Sequence, residues 1–184
     1  MASPLSERAL RLIKIGNEIN SQSVVLSGQQ LLLKGMFQFN DYDAAYASSK
    51  QARAGNALMG YQSQLMLANQ ILNSLLKKSY DPAIYDSALY LLDGESGFAK
   101  DALMALSFFE ESVKKNANPK SAFIAAVIRN EDLVPGFHDK RRIDELITFA
   151  ILNRVAGAQR YKAQYIDNSG YLEVENWRKW LSSQ

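Results

Sequence analysis

The chain has 184 residues, of which 47% are hydrophobic and 22% charged, with no cysteine and a single histidine, His138. This composition is typical of one folded domain or a short helical array. Without cysteine, disulfides, thiolate catalysis and thiolate metal sites are excluded, and one histidine excludes a two-histidine metal site. We therefore expect no cofactor. No stretch approaches the roughly 18 consecutive apolar residues of a membrane span.

The net charge of +2 is unevenly distributed along the chain. Residues 1–80 carry eight Lys/Arg and four Asp/Glu, residues 81–145 carry eight and twelve, and residues 146–184 carry five and three. The resulting balances of +4, −4 and +2 are mild, so no nucleic-acid partner is expected. No signal peptide is recognisable, and both the periplasm and the cytoplasm of a bacterium stay open as locations.

Helical patterns begin at the N-terminus, where Ser3 is expected to cap a helix that starts at Pro4. The apolar stripe of this helix is Leu5, Ala9, Leu12, Gly16 and Ile19. We interpret Gly16 as a close-packing point. The apolar run that follows predicts a buried helix over residues 29–39, with a break or bend near Gly28.

The next helices are predicted from their capping residues and small or apolar faces. Asn40 is expected to cap a helix that presents small residues on one face and ends at Gly55. Residues 57–78 are predicted to form the longest amphipathic helix, whose apolar stripe is Leu58, Tyr61, Leu65, Ala68, Leu72 and Leu75. Asp81 and Pro82 are predicted to start another, which ends at the turn Gly94–Gly97. The later helices are predicted at residues 100–116, 120–131, 139–155, 157–167 and 171–182.

No stretch alternates with period two for long enough to predict a strand. About eight or nine helices joined by short loops indicate an all-α fold. Gly97-Phe98 and Gly136-Phe137 mark two turns 39 residues apart. A period near 40 made of helix pairs is typical of an α-solenoid, in which neighbouring pairs stack because no pair buries its apolar face alone.

Residues 88–122 resemble a Sel1-like repeat, a relative of the tetratricopeptide repeat. The residues that carry the resemblance are Tyr90, Gly94, Gly97, Phe98, Asp101, Ala105, Phe108, Phe109 and Ser112. The chain departs from the family pattern by one extra residue between the glycines, by Phe98 for valine and by Phe108 for tryptophan. A second, weaker copy begins at Gly136 and Phe137.

The resemblance implies a right-handed α-solenoid of stacked antiparallel helix pairs. We expect a single helical-repeat domain over 1–184, with divergent helices in 1–80, Sel1-like repeats in 81–155 and capping helices in 156–184. The family's repeat residues are packing residues, so the resemblance implies no catalytic site. Sel1-like proteins are often bacterial adaptors or scaffolds, and some neutralise toxic effectors.

We therefore hypothesise a non-enzymatic adaptor that binds a protein or peptide in a concave groove. The candidate partner-binding residues are Tyr85, Tyr90, Ser121, Arg129, Trp177 and Trp180. An alternative is a helical ligand-binding or enzymatic bundle with a pocket in residues 24–80, where an apolar run lies near three tyrosines. A self-assembling subunit is a third possibility, and the sequence does not determine the oligomeric state.

Other polar clusters receive structural interpretations. His138 beside Asp139 is interpreted as a solvated loop residue, since no serine or cysteine motif accompanies it. The paired acids Glu110-Glu111 and Glu131-Asp132 are interpreted as a solvated face, because adjacent helical residues point in different directions. The basic run 140–142 is expected to pair with nearby acids. Trp177 and Trp180 are expected to cap the last repeat or to anchor a partner.

Overall fold

The computed structural model describes residues 3–55 and 62–168 of the chain. These residues form nine α-helices: α1 (Pro4–Glu18), α2 (Gln22–Gln38), α3 (Tyr42–Ala54), α4 (Leu65–Leu76), α5 (Asp81–Asp93), α6 (Ala102–Asn116), α7 (Pro119–Asn130), α8 (Lys140–Leu152) and α9 (Ala158–Tyr161). A π-helical segment, Lys162–Asp167, continues α9. The described residues contain no strand, so the all-α prediction is confirmed for them. None of their helices has the length and apolar character that a membrane span requires.

The chain divides into two compact units, and helices that follow each other along the chain pack in pairs. The first unit contains Met1–Ile84 and Glu95–Phe98, and the second contains Tyr85–Gly94 and Ala99–Gln184. In the first unit α1 packs on α2, α2 on α3 and α3 on α4. In the second unit α6 packs on α7, α7 on α8 and α8 on α9. The single-domain assignment and the solenoid stay predictions.

Side-chain caps determine where several helices begin. Ser3 accepts a hydrogen bond from the Ser6 backbone N–H, and Pro4 opens α1, as predicted. The prediction of Asn40 as the cap of α3 is wrong. The Asp41 carboxylate accepts from the backbone N–H of Ala44, while Asn40 has a φ of 54° and precedes the cap.

Glycines let α1 and α2 approach each other closely. A Cβ atom on Gly28 would lie 2.7 Å from the Ala9 carbonyl oxygen and 2.7 Å from Ile13 Cγ1. One on Gly16 would lie 2.6 Å from Val25 Cγ2, which confirms Gly16 as a close-packing point. The predicted break near Gly28 is wrong, because α2 runs from Gln22 to Gln38 without interruption. Close helix contact explains this glycine better than a bend does.

The core of the first unit is formed mainly by small side chains of α1, α2 and α3. Its buried cluster consists of Ala9, Ile13, Leu32, Ala44 and Ala47. The predicted small face of α3 is confirmed, since Ala45, Ser49 and Ala52 are all buried. Two details of the predicted burial are wrong: Ile19 is 62% exposed and Phe37 is 77% exposed. Both lie near helix ends, where no neighbouring helix covers them.

The helix predicted over residues 57–78 begins later in the structure. Residues 62–64 are not helical, and α4 runs from Leu65 to Leu76. Its buried positions are Ala68, Leu72 and Leu75, as the predicted stripe requires, whereas Leu65 is 40% exposed. The predicted positions Leu58 and Tyr61, and the terminal helix over 171–182, lie outside the described residues.

The second unit is built around α7. Residues 121–128 are all buried, so this helix has no solvent-exposed face over two turns. The Phe123 ring packs edge-to-face against Tyr161, with ring centroids 5.7 Å apart. The Phe109 ring packs in the same way against Tyr85, at 5.9 Å. The predicted helix at 139–155 is confirmed in position but ends at Leu152.

Candidate functional site

The first unit contains a half-open cavity of about 420 Å³, called here the first-unit groove. Its described lining on the α2 and α3 side consists of Met36, Phe37, Asn40, Asp41, Tyr42 and Ala45. Its lining on the α4 side consists of Leu67, Gln70, Ile71, Ser74, Leu75 and Lys78. Most of this surface is apolar, and Lys78 lies at its end.

The α4 wall of the groove follows directly from helical spacing. Leu67, Ile71 and Ser74 lie three or four residues apart and therefore share one face of the helix, while Lys78 lies in the turn just beyond its end. The buried residues of α4 are Ala68, Leu72 and Leu75, and Leu75 also belongs to the groove lining. From Leu67 to Leu75 the helical wall extends about 12 Å, at 1.5 Å per residue. The groove is thus a trough about two helical turns long.

The α3 end of the groove is held in place by Asp41. Its Oδ1 accepts a hydrogen bond of 3.1 Å from the Ala44 backbone N–H. Its Oδ2 accepts hydrogen bonds from the hydroxyls of Ser3 and Ser6, the latter at 3.1 Å. Partial burial raises the pKa of Asp41, but the hydrogen bonds from Ser3, Ala44 and Ser6 outweigh it and hold the pKa below its ordinary value. The carboxylate therefore joins the starts of α1 and α3.

A second acid, Asp43, continues this connection toward α5. Asp43 Oδ2 accepts a 2.8 Å hydrogen bond from the Ser3 backbone N–H, and its Oδ1 accepts one from the Tyr80 hydroxyl. Burial, then the hydrogen bond to Asp43, raise the pKa of Tyr80 well above 10.0. The Tyr80 ring also contacts the rings of Tyr42 and Tyr46, with centroids 6.1 and 5.8 Å away. These polar groups therefore join α1, α3 and the residue that precedes α5.

Several residues of the predicted repeat occupy structural positions. Asp101 accepts a 2.8 Å hydrogen bond from the Met104 backbone N–H and so caps α6. Ala105 and Phe109 are fully buried, while Phe108 is half-buried. The turn glycines have left-handed backbones, with φ of 72° at Gly94 and 81° at Gly97, and Gly136 at the second turn has 83°.

The structure tests the positions of the predicted partner-binding residues individually. Ser121 is fully buried, and its hydroxyl lies 2.8 Å from that of Ser112. This burial does not support the assignment of Ser121 as a partner-binding residue, which stays a prediction. Tyr85 and Tyr90 are half-buried in the second unit. Trp177 and Trp180 lie outside the described residues.

Arg129 has a structural role that the sequence analysis did not predict. Its side chain is 11% exposed, and its guanidinium lies 2.9 Å from Glu110 Oε1. The same guanidinium donates to the Phe137 carbonyl oxygen at 2.8 Å and lies over the Phe137 ring. Its charge is thus matched within the second unit, and its assignment as a partner-binding residue stays a prediction.

Several other charged residues of the second unit also form contacts within it. Glu110 pairs with Arg142 as well as with Arg129 and is only 26% exposed, so it does not belong to a solvated face as interpreted. Arg141 and Arg142 pair with Glu145, as expected for the basic run. The exposed His138 has its Nδ1 3.2 Å from the Arg129 carbonyl oxygen. These contacts join α6, α7 and α8.

The described residues offer little reactive chemistry. No group of three or more His, Asp or Glu residues within 3–55 and 62–168 is arranged to hold a metal ion. The second unit has an open depression of about 830 Å³ along one face of α8, and the residues described around it, 140–152, belong to that helix alone. The first-unit groove, by contrast, has walls from three helices and is the candidate binding site.

The sequence predicted a pocket in this region of the chain but not the walls of the groove. The apolar run before residue 40 and the nearby tyrosines pointed to a pocket in residues 24–80. The α4 wall was missed because only the buried stripe of that helix was considered. Leu67 and Ile71 form a second apolar stripe, and such an excess of apolar positions is the signal that could have indicated it.

No protein-family model matches the chain, and comparison with curated proteins and with solved structures finds no protein similar to it.

Proposed function

We propose that this protein is a non-enzymatic interaction module that binds a segment of a protein partner in the first-unit groove. The observation that carries the proposal is the groove itself, an apolar trough with walls from α2, α3 and α4. Phe37 at its edge is 77% exposed, and Tyr42 and Leu67 are 38% and 37% exposed. Large exposed apolar side chains that surround one concavity are typical of protein interaction sites.

The polar groups around the groove support binding more than catalysis. Asp41, the acid of its lining, has its carboxylate occupied by Ser3, Ser6 and Ala44. A catalytic acid or base needs a free position within hydrogen-bond reach of its substrate. The sequence adds that the chain has no cysteine and one histidine, which lies far along the chain from the groove residues.

We also propose, as part of the same account, that residues 88–122 are a Sel1-like repeat in an α-solenoid of adaptor or scaffold type. The cap at Asp101 and the left-handed glycines at the preceding turn support this assignment. The buried Ala105 and Phe109 support it as well, because the family uses these positions for packing. The partner and the pathway are not specified by these contacts.

A ligand-binding helical bundle is the second candidate function. The volume of the groove, about 420 Å³, lies within the range of roughly 300 to 1,000 Å³ that is usual for small-molecule sites. Its half-open form favours a peptide, because a small apolar ligand usually buries most of its surface. Saturable binding of a small apolar molecule, with no protein partner captured, would favour this second candidate.

The proposal is tested by capture of partners from the native organism with three forms of the protein. Leu67→Glu introduces a charge into the groove at a partly exposed position, so the fold should tolerate it. Leu103→Glu is the matched control, since Leu103 is 52% exposed and lies on α6 in the second unit. We expect wild type and Leu103→Glu to capture the same partner and Leu67→Glu to lose it. Equal capture by all three forms would refute the groove as the binding site.

A further inference from the structure

The groove has a charge preference that can be inferred from its described lining. Lys78 is the only cation among the lining residues that the structure describes, and it is exposed. Within residues 3–55 and 62–168 its ammonium group forms no ion pair. The acid on the opposite wall, Asp41, is held by three hydrogen bonds from its own unit. The unmatched charge on the groove is therefore positive.

The wider charge of this part of the chain has the same sign. Residues 1–80 carry eight basic and four acidic residues, a balance of +4. Of those acids, Asp41 and Asp43 are engaged in the hydrogen bonds that join α1, α3 and Tyr80. Opposite charge on a partner would raise its association rate and suppress wrong partners.

The shape of the groove indicates the form of its occupant. The helical part of the α4 wall extends about 12 Å, a little over two turns of a helix. Leu67, Ile71 and Leu75 follow one another at spacings of four along that wall. An amphipathic helix places its own apolar residues at i, i+3, i+4 and i+7 and so matches such a trough.

We propose that the occupant is an acidic amphipathic helix of a protein partner, with its apolar face in the groove and a carboxylate paired with Lys78. This inference rests on the proposed function and specifies the chemistry of the partner. The helical form accounts for the length and apolar floor of the groove. The acidic character of the helix supplies a carboxylate for the ammonium group of Lys78.

The test uses three fluorescein-labelled peptides of roughly 14 residues, which is long enough to span the groove. The first carries leucines at i, i+3, i+4, i+7 and i+8, with glutamates at most other positions. The second replaces the glutamates with lysines. The third has the composition of the first, with its leucines out of helical spacing. Binding to the full chain is followed by fluorescence polarisation at low salt, where charge effects are largest.

We expect the first peptide to bind and the other two to bind at least about ten-fold more weakly. Lys78→Glu should weaken binding of the first peptide about five-fold, the upper range for an exposed ion pair. Lys77→Glu is the matched control, because it makes the same change of net charge next to the groove but not in its lining. It should change the affinity less than two-fold.

Equal affinity for the acidic and basic peptides, or equal effects of Lys77→Glu and Lys78→Glu, would overturn the proposed charge preference. Binding of the peptide with displaced leucines would overturn the helical form. If no peptide binds and sodium decanoate does, the occupant is a small amphiphile and the inference fails. The proposed function is judged separately, since loss of the captured partner in Leu67→Glu would uphold it even where every peptide fails.

Discussion

Glu110 Oε1 lies 2.9 Å from the guanidinium of Arg129, whose side chain is only 11% exposed. The same oxygen lies 3.3 Å from Nε of Arg142, so one carboxylate on α6 holds a residue of α7 and a residue of α8. The neighbouring Glu111 pairs with Lys115, which lies one turn away on the same helix. Two adjacent acids therefore make very different contributions to the second unit.

Glu110→Gln should destabilise the protein far more than Glu111→Gln. The first change leaves the largely buried Arg129 without its counter-charge, which we expect to cost about 1–2 kcal/mol after allowance for partial solvent exposure. The second change removes an exposed helical pair and should cost less than about 0.5 kcal/mol. Urea unfolding followed by circular dichroism measures both. Equal free energies of unfolding for the two variants would contradict the structural role of Glu110.

Gly28→Ala tests the close contact between α1 and α2. The added methyl group would lie 2.7 Å from the Ala9 carbonyl oxygen, so the two helices would have to separate. We expect a loss of about 1–3 kcal/mol, despite the higher helix propensity of alanine. Ser27→Ala is the control, because Ser27 is exposed on the same helix and should change stability by less than about 0.5 kcal/mol. An unchanged or raised melting temperature for Gly28→Ala would show that the contact is not present.

Asp41→Ala should cost more than Asp101→Ala, although both aspartates cap a helix. Removal of the Asp101 cap is expected to cost about 1 kcal/mol. Removal of Asp41 also breaks the hydrogen bonds from Ser3 and Ser6 and should cost about 2 kcal/mol or more. The pKa of Asp41 is lower in the folded protein than its ordinary value of 3.8. The stabilisation that the Asp41 carboxylate provides is therefore present above pH 3.8 and is lost as the pH falls through the pKa of the folded protein. The difference in unfolding free energy between Asp41→Ala and wild type should therefore shrink in acid; a constant difference would argue against the ionised cap.

Alkaline pH should weaken the fold through the buried Tyr161 and the half-buried Tyr80. Burial, then the hydrogen bond to Glu131, raise the pKa of Tyr161 well above 10.0, and burial with the Asp43 contact raises that of Tyr80. The contribution of the two tyrosines to the free energy of unfolding is complete below pH 10.0. It is lost as the pH rises above 10.0, because the unfolded chain then releases protons that the folded chain retains. The variant Tyr80→Phe/Tyr161→Phe should be less stable than wild type at pH 8 and lose less stability between pH 9 and pH 11. Parallel pH profiles for the two proteins would contradict the shifts.

The parts of this structure that follow from local chemistry were predictable from the sequence. The cap at Ser3, the left-handed turn at Gly97 and the buried stripe through Leu72 depend on neighbouring residues and helical period alone. The roles of Gly28 and Arg129 were not predictable, because each is determined by a residue on another helix. From the sequence alone, a glycine in a helical run indicates a break, because the helix that packs closely against it is not yet known.

The candidate site shows the same division between local and tertiary information. The sequence indicated a pocket in residues 24–80 from an apolar run and nearby tyrosines. It could not show that α4 supplies the second wall, since this depends on how α4 packs on α3. Ser121 was predicted to face a partner, whereas the structure buries it against Ser112.

The central claim, that partners bind in the first-unit groove, is tested most directly by photo-crosslinking in the native organism. Benzoylphenylalanine is placed at Gln70, an exposed residue of the groove lining, and in a separate protein at the exposed Leu103 of α6. The account predicts a crosslinked partner from position 70 that is absent from position 103 and disappears when Leu67→Glu is added. A partner that crosslinks from position 103 and not from position 70 would contradict it.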